Sequence, residues 1–143
     1  MHFTHYPGSG QGLGELPWVR ASPATQGLVG LIWYWPDEWR TQHVTGAQIY
    51  SGGKSPASGR NTKILWAFLT PRSRQATDAQ TLVAKGTRLD GPGKTWQQFH
   101  AISYTGQNRA PSFASIIDLP TPGCWRLDLT AGSLHGTTTF RAL

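Results

Sequence analysis

The chain has 143 residues, a formal net charge of +6 and a charged fraction of only 14%, which suits one domain with a single hydrophobic core. Lysine and glutamate are too scarce to coat helices, whereas 17 glycines, 10 prolines and 11% aromatic residues favour short strands joined by turns. The single cysteine excludes an internal disulfide, and no run of about 18 apolar residues is present, so no transmembrane helix is expected.

The first quarter of the chain is interpreted as a lead-in followed by two strands. Residues 1–15 are rich in glycine and are expected to form a flexible lead-in to one domain over residues 16–143. They lack a basic start followed by an apolar core, so no signal peptide is expected. The stretch LPWVRASP predicts a short strand that Pro23 ends. Residues 27–35 are apolar at both alternating sets of positions, which indicates a strand covered on both faces.

The middle of the chain alternates between loops and strands. A weak strand is predicted around residues 47–50, and a stronger one over residues 62–70 places Trp66 on its apolar face. The segment TLVAKGTRLDG predicts a strand that Gly86 interrupts with a bulge. Residues 90–93, Asp-Gly-Pro-Gly, predict a turn. The following TWQQFHAISY is a strand of ambiguous register, because apolar residues fall on both of its faces.

The last third shows the clearest alternation with a period of two. Phe113 shares one face of PSFASIIDLP with other apolar residues, and Trp125 does the same in CWRLDLTAG. A final strand, TTTFRAL, is expected to point Phe140 inward. Seven to nine short strands at spacings of about 8–12 residues predict an all-β fold, specifically an antiparallel β-sandwich.

Three segments resemble a bacterial family of small immunoglobulin-like modules: NTKILWAFL, GTRLDG and PSFASIIDLPTPGCWRLDLTAG. The shared pattern is a lysine-apolar-tryptophan strand, a Gly-x-x-Leu-Asp-Gly turn and a Pro-x-x-Gly-Cys-Trp-x-Leu-x-Leu strand. The matching positions are Lys63, Ile64, Trp66, Gly86, Leu89, Asp90, Gly91, Pro120, Gly123, Cys124, Trp125, Leu127 and Leu129. The resemblance, over about residues 27–143, implies an immunoglobulin-like sandwich in an extracytoplasmic, secreted or envelope-anchored bacterial protein without catalytic residues.

Core and contact residues can be separated by their place in the predicted strands. Four residues are expected in the core, with the cysteine as a buried structural thiol: Trp33, Trp66, Trp125 and Cys124. Five residues at or beyond strand ends are candidates for ligand contact: Asp37, Glu38, Trp39, Arg40 and Tyr50. An indole beside carboxylates suits stacking on a sugar whose hydroxyls donate to the acids.

The most economical functional interpretation is a non-enzymatic recognition or scaffolding module of a bacterial envelope, with a carbohydrate or an envelope protein as its partner. A second interpretation is a carbohydrate- or nucleic-acid-binding module that uses exposed tryptophan and arginine, since the isoelectric point is about 10. A hydrolase is the third. An edge strand such as residues 137–143 could also pair with a second copy to form a homodimer.

Catalytic and metal sites are weakly represented in the sequence. Asp37 and Glu38 are adjacent, so in an extended chain they point to opposite sides and do not form a glycosidase pair. Cys124 and His135 could meet across a hairpin, but Cys124 opens a strand expected to be packed. The five histidines lack zinc-site spacing, so no metal and no cofactor are expected.

Overall fold

The computed structural model describes residues 18–33, 47–49, 51–53, 63–68, 79–102 and 112–143. Within these ranges there is no α-helix, and two short 3₁₀ turns span Ala24–Gln26 and Ser51–Gly53. The strands are β1 (Trp18–Arg20), β2 (Leu28–Trp33), β3 (Ala47–Ile49), β4 (Lys63–Phe68), β5 (Thr81–Arg88), β6 (Lys94–Ile102), β7 (Ser112–Ile116), β8 (Gly123–Ala131) and β9 (Leu134–Ala142). The predicted all-β class is confirmed.

The described strands form one sheet in the order β1-β2-β4-β7-β6-β5-β8-β9-β3. Neighbours are antiparallel except β3, which lies parallel to β9. The order β8-β5-β6-β7 is a Greek key, in which a fourth strand returns to lie beside the first. Strand β6 joins the two halves of the sheet, because it pairs with β5 over most of its length and with β7 only at Ala101 and Ile102.

The β1 end of the sheet returns to β9 and nearly closes the sheet through a single residue pair. The backbones of Ser22, just beyond β1, and Thr137, in β9, exchange two hydrogen bonds of 2.8 Å. The architecture is therefore barrel-like, and the immunoglobulin-like sandwich stays a prediction. Strand β9 also has β8 and β3 as neighbours, so the expectation that residues 137–143 are a free edge for dimer formation is wrong.

Side-chain alternation fills the interior as the sequence indicates. The largest fully buried side chains include Trp66, Trp125, Phe113 and Phe140, which belong to one cluster shared by both halves of the sheet. The buried Trp66 indole donates from Nε1 to Ser115 Oγ at 3.0 Å, and that hydroxyl donates to a backbone carbonyl at 3.1 Å. The indole and the hydroxyl are thus both hydrogen-bonded, which removes the main cost of burying them.

Two strand glycines leave space for side chains of the strands beside them. A Cβ at Gly30, the residue paired with Trp66, would lie 2.7 Å from Cζ3 of the Trp66 ring. A Cβ at Gly86 would collide with the Thr95 methyl and lie 3.4 Å from the Trp125 ring. The predicted interruption at Gly86 is wrong, because β5 pairs continuously with both neighbours through this residue. Close packing is the reason for glycine here.

Strand β2 is covered on both faces, as its two apolar sets indicate. Leu28 and Ile32 belong to the interior cluster, whereas Val29 and Leu31 belong to a second buried cluster on the outer side of β1, β2 and β4. Trp33 ends β2 opposite Lys63, and its side chain lies outside the described part of the structure.

Cys124 requires a correction. Its thiol is exposed rather than buried. Successive residues of a strand point to opposite faces, so the completely buried Trp125 next to it directs Cys124 outward. The resemblance motif therefore combines one core residue with one surface residue.

Candidate functional site

The contact residues expected from sequence lie outside the described residues. These are Asp37, Glu38, Trp39, Arg40 and Tyr50. A binding site formed by these five residues therefore stays a prediction.

The outer side of β5, β6, β8 and β9 is a continuous polar surface, which we call the polar face. It consists of Thr81, Val83, Lys85, Thr87, Lys94, Trp96, Gln98, His100, Cys124, Arg126, Asp128, Thr130, His135, Thr137, Thr139 and Arg141. All of these side chains are exposed or half-buried. They include four permanent cations and one carboxylate, so the face has a positive formal charge.

Trp96 is the most exposed large apolar side chain among the described residues, with 58% of its surface accessible. It lies opposite Lys85 of β5 in the strand register, and Lys94 is two positions earlier on the same face of β6. Directly opposite residues have Cβ atoms about 5 Å apart, and alternate residues of a strand are about 7 Å apart. Lysines therefore occupy the strand positions next to Trp96 both across the sheet and along β6.

The single carboxylate of the polar face is already neutralised within the sheet. Asp128 accepts a hydrogen bond from Arg126 Nε at 3.2 Å through one oxygen and from Thr137 Oγ1 at 2.9 Å through the other. The charges of Lys85 and Lys94 have no ion-pair partner within the described residues. Lys85 lies opposite Asp128 in the strand register without forming an ion pair with it, so among the described residues the four cations of the polar face outnumber its one carboxylate.

The Gly-x-x-Leu-Asp-Gly turn at residues 86–91 and the Gly-Cys-Trp start of β8 meet at one end of this face. Asp90, in the turn after β5, accepts from Arg88 Nε at 2.8 Å and from the backbone N–H of Cys124 at 3.0 Å. Gly123 has φ of 139°, and a Cβ there would lie 2.6 Å from the Asp90 carboxylate. The two motifs therefore form one structural clamp between the β5–β6 turn and the start of β8.

Asp90 makes the clamp sensitive to acid. The Arg88 hydrogen bond, assisted by the Cys124 N–H, lowers the pKa of Asp90 below its ordinary value. A lowered folded-state pKa means that the carboxylate stabilises the fold fully above about pH 4 and loses this effect as pH falls through the folded pKa. We expect Asp90→Asn to lower the urea midpoint at neutral pH, and by a smaller margin near pH 2, where more of the native carboxylate is protonated.

Urea titrations of both proteins at the two pH values measure this effect. Asp118→Asn is the matched control, because Asp118 is exposed and has no ion-pair partner within the described part of the chain. A difference between native and Asp90→Asn proteins that is equally large in acid would contradict a role for the ionised carboxylate.

The strand register separates the two residues considered as a catalytic pair. Cys124 lies opposite Arg141, whereas His135 lies opposite Thr130, six positions further along β8. At about 3.3 Å per residue, the two side chains start about 20 Å apart. The strand register therefore excludes a catalytic pair of Cys124 and His135, which the sequence already disfavoured.

The described ranges contain neither a metal-binding cluster nor a membrane-spanning helix. No group of three or more histidine, cysteine, aspartate and glutamate side chains is arranged to hold a metal ion there. None of the described segments forms a helix long and apolar enough to cross a membrane.

The sequence does not identify Trp96 as a surface residue, because both alternating sets of positions in β6 contain apolar residues. The structure turns Phe99 and Ala101 toward the core and Trp96 outward. Gln97 belongs to the inner set of β6. Its side chain accepts a hydrogen bond from the backbone N–H of Asp118 at 3.1 Å and donates one to the carbonyl of Ile116 at 3.5 Å, which links β6 to the end of β7. This bridge helps to hold β6, and with it Trp96, where the two halves of the sheet diverge.

The described residues define a nearly closed, antiparallel all-β domain with one basic outer face that displays a tryptophan. Comparison with protein-family models, with curated proteins and with solved structures found no match to the chain.

Proposed function

We propose that the protein is a non-enzymatic binding module that holds an anionic polymer on the polar face. The observation that carries the proposal is the 58% exposed indole of Trp96, bordered by the lysines at positions 85 and 94. The cations attract the polymer, and the indole supplies a flat apolar contact.

The backbone around the lysines is rigid before any ligand arrives, which favours binding. Strand β5 is hydrogen-bonded to β6 on one side and to β8 on the other, so Lys85 is held in the interior of the sheet. A preformed surface loses little conformational entropy on binding. An open outer face of paired strands also suits an extended polymer better than a small substrate, which needs a concave pocket.

Four expectations from the sequence are compatible with this proposal but do not support it: a recognition role, a sandwich fold, an extracytoplasmic location and a homodimer. A recognition role fits the resemblance to immunoglobulin-like envelope modules, and the core shared by the two halves of the sheet fits a sandwich as the finer description. The extracytoplasmic location, the bacterial envelope and a homodimer stay predictions.

Three single Lys→Ala variants with the same change in charge test the proposal. Lys85→Ala and Lys94→Ala remove polar-face cations, whereas Lys63→Ala removes an exposed cation from the outer side of β4. With heparin and inorganic polyphosphate as probes in isothermal titration calorimetry, the first two variants should bind severalfold more weakly than Lys63→Ala, which should match the native protein. Each lost phosphate contact should also reduce the slope of log K against log salt by about 0.7–0.9.

Equal affinity of all three variants would place the binding elsewhere and overturn the proposed surface. Failure of the native protein to bind either polymer at low salt would overturn the function itself. Far-UV circular dichroism of each variant checks that the sheet is intact.

A further inference from the structure

We infer that the anionic polymer is a single-stranded nucleic acid and that Trp96 stacks on one of its bases, an inference that rests on the proposed function. The polar face offers an aromatic surface, cations beside it and an amide, which are the three elements that single-stranded nucleic acids contact.

Hydrogen-bonding capacity favours a nucleic acid over a sugar polymer. Sugar hydroxyls are well matched by carboxylate acceptors, but the polar face has only one carboxylate, Asp128, and each of its oxygens already accepts one hydrogen bond within the sheet. Lys85 and Lys94, the charged neighbours of Trp96, are donors only and suit phosphate. Gln98, exposed two positions after Trp96, can both donate to and accept from a base edge.

The geometry of β6 fits alternating contacts to backbone and base. Lys94, Trp96 and Gln98 occupy successive outward positions, about 7 Å apart along the strand. Lys85 lies opposite Trp96 on β5, so lysines occupy the positions next to the indole both along β6 and across the sheet. A base must be unstacked to lie on the indole, so an unpaired strand is bound and a duplex is excluded from this contact.

Fluorescence anisotropy with four labelled probes tests the inference: an oligothymidylate of about 12 nucleotides, its duplex with oligoadenylate, an abasic oligomer of equal length, and heparin. The native protein should bind oligothymidylate most tightly. Trp96→Ala should weaken that binding about 5- to 150-fold and leave abasic and heparin binding unchanged. Trp96→Phe should retain most of the affinity because it keeps a stacking ring.

Ile116→Ala is the matched control, because Ile116 is a 41% exposed apolar residue on the outer side of β7 and is not one of the polar-face residues. It should bind all four probes like the native protein. Circular dichroism and urea midpoints confirm that each variant is folded.

The outcomes separate this inference from the proposed function. Equal binding of oligothymidylate and the abasic oligomer, unaffected by Trp96→Ala, overturns base stacking and leaves polyanion binding in place. Tighter binding of heparin that depends on Trp96 identifies an anionic glycan instead and also overturns the inference. Absence of binding to every probe overturns both proposals.

Discussion

Replacing Trp125 by alanine is expected to lower the free energy of unfolding by about 3–5 kcal/mol. The Trp125 side chain is completely buried in the shared core, and its Nε1 donates to the carbonyl of Thr121 at 2.9 Å. Truncation removes the transfer free energy of the indole and leaves a cavity that a closely packed sheet cannot fill. Small domains have only about 5–15 kcal/mol in total, so the variant should lose a large fraction of its free energy of unfolding. Urea denaturation followed by circular dichroism measures the loss.

The exposed Trp96 provides a control with the same chemical change. Trp96→Ala should shift stability by no more than about 0.5 kcal/mol, because the ring is largely solvated. Trp125→Phe keeps most of the buried ring and should lose less than Trp125→Ala, which gives a graded series if the alanine variant does not fold. Similar losses for Trp96→Ala and Trp125→Ala would be inconsistent with the assignment of faces in β6 and β8.

Gly30→Ala is expected to lower the free energy of unfolding by about 1–3 kcal/mol, although alanine normally suits a strand at least as well as glycine. The added Cβ would lie 2.7 and 2.9 Å from two carbons of the Trp66 ring and 3.0 Å from an Ile64 methyl. The Trp66 indole is completely buried and hydrogen-bonded to Ser115, so it cannot move away cheaply. Urea midpoints of the two proteins measure the effect.

Two comparisons isolate this steric cause. Gly91→Ala is the control, because Gly91 is exposed and an added Cβ there would approach no ring and only the Arg88 guanidinium, at 3.3 Å rather than 2.7 Å. It should change stability by less than about 0.5 kcal/mol. In a Trp66→Leu background, Gly30→Ala should cost less than in the native protein, since the ring that it strikes is gone. Additive costs in the double variant would rule out the ring contact as the source of the loss.

The strands with one apolar face were predictable because their alternation is a local property of the chain. Trp66, Phe113, Trp125 and Phe140 were assigned to the core from a period of two, and all are buried. The same pattern does not predict the inward face of β6, because inward Phe99 and outward Trp96 lie in different alternating sets that both contain apolar residues. Only the pairing of β6 with both β5 and β7 decides which set faces the core.

The errors have equally specific causes. Cys124 was placed in the core as a small apolar residue beside an indole, but adjacent strand residues cannot share a face. Gly86 was interpreted as a conformational break, whereas it leaves space for the methyl group of Thr95, a requirement that comes from the strand paired with it. Residues 137–143 were interpreted as an edge because the short β3 that covers them lies far earlier in the sequence.

The amino-acid sequence alone determined the all-β class and the inward face of the most regular strands, because alternation depends only on neighbouring residues in an extended chain. The tertiary structure decided the strand order, the near closure through Ser22 and Thr137, and the gathering of Lys85, Lys94 and Trp96 on one basic face. These features depend on hydrogen bonds between segments that are distant in the chain, and side-chain periodicity within a segment contains no information about its partner.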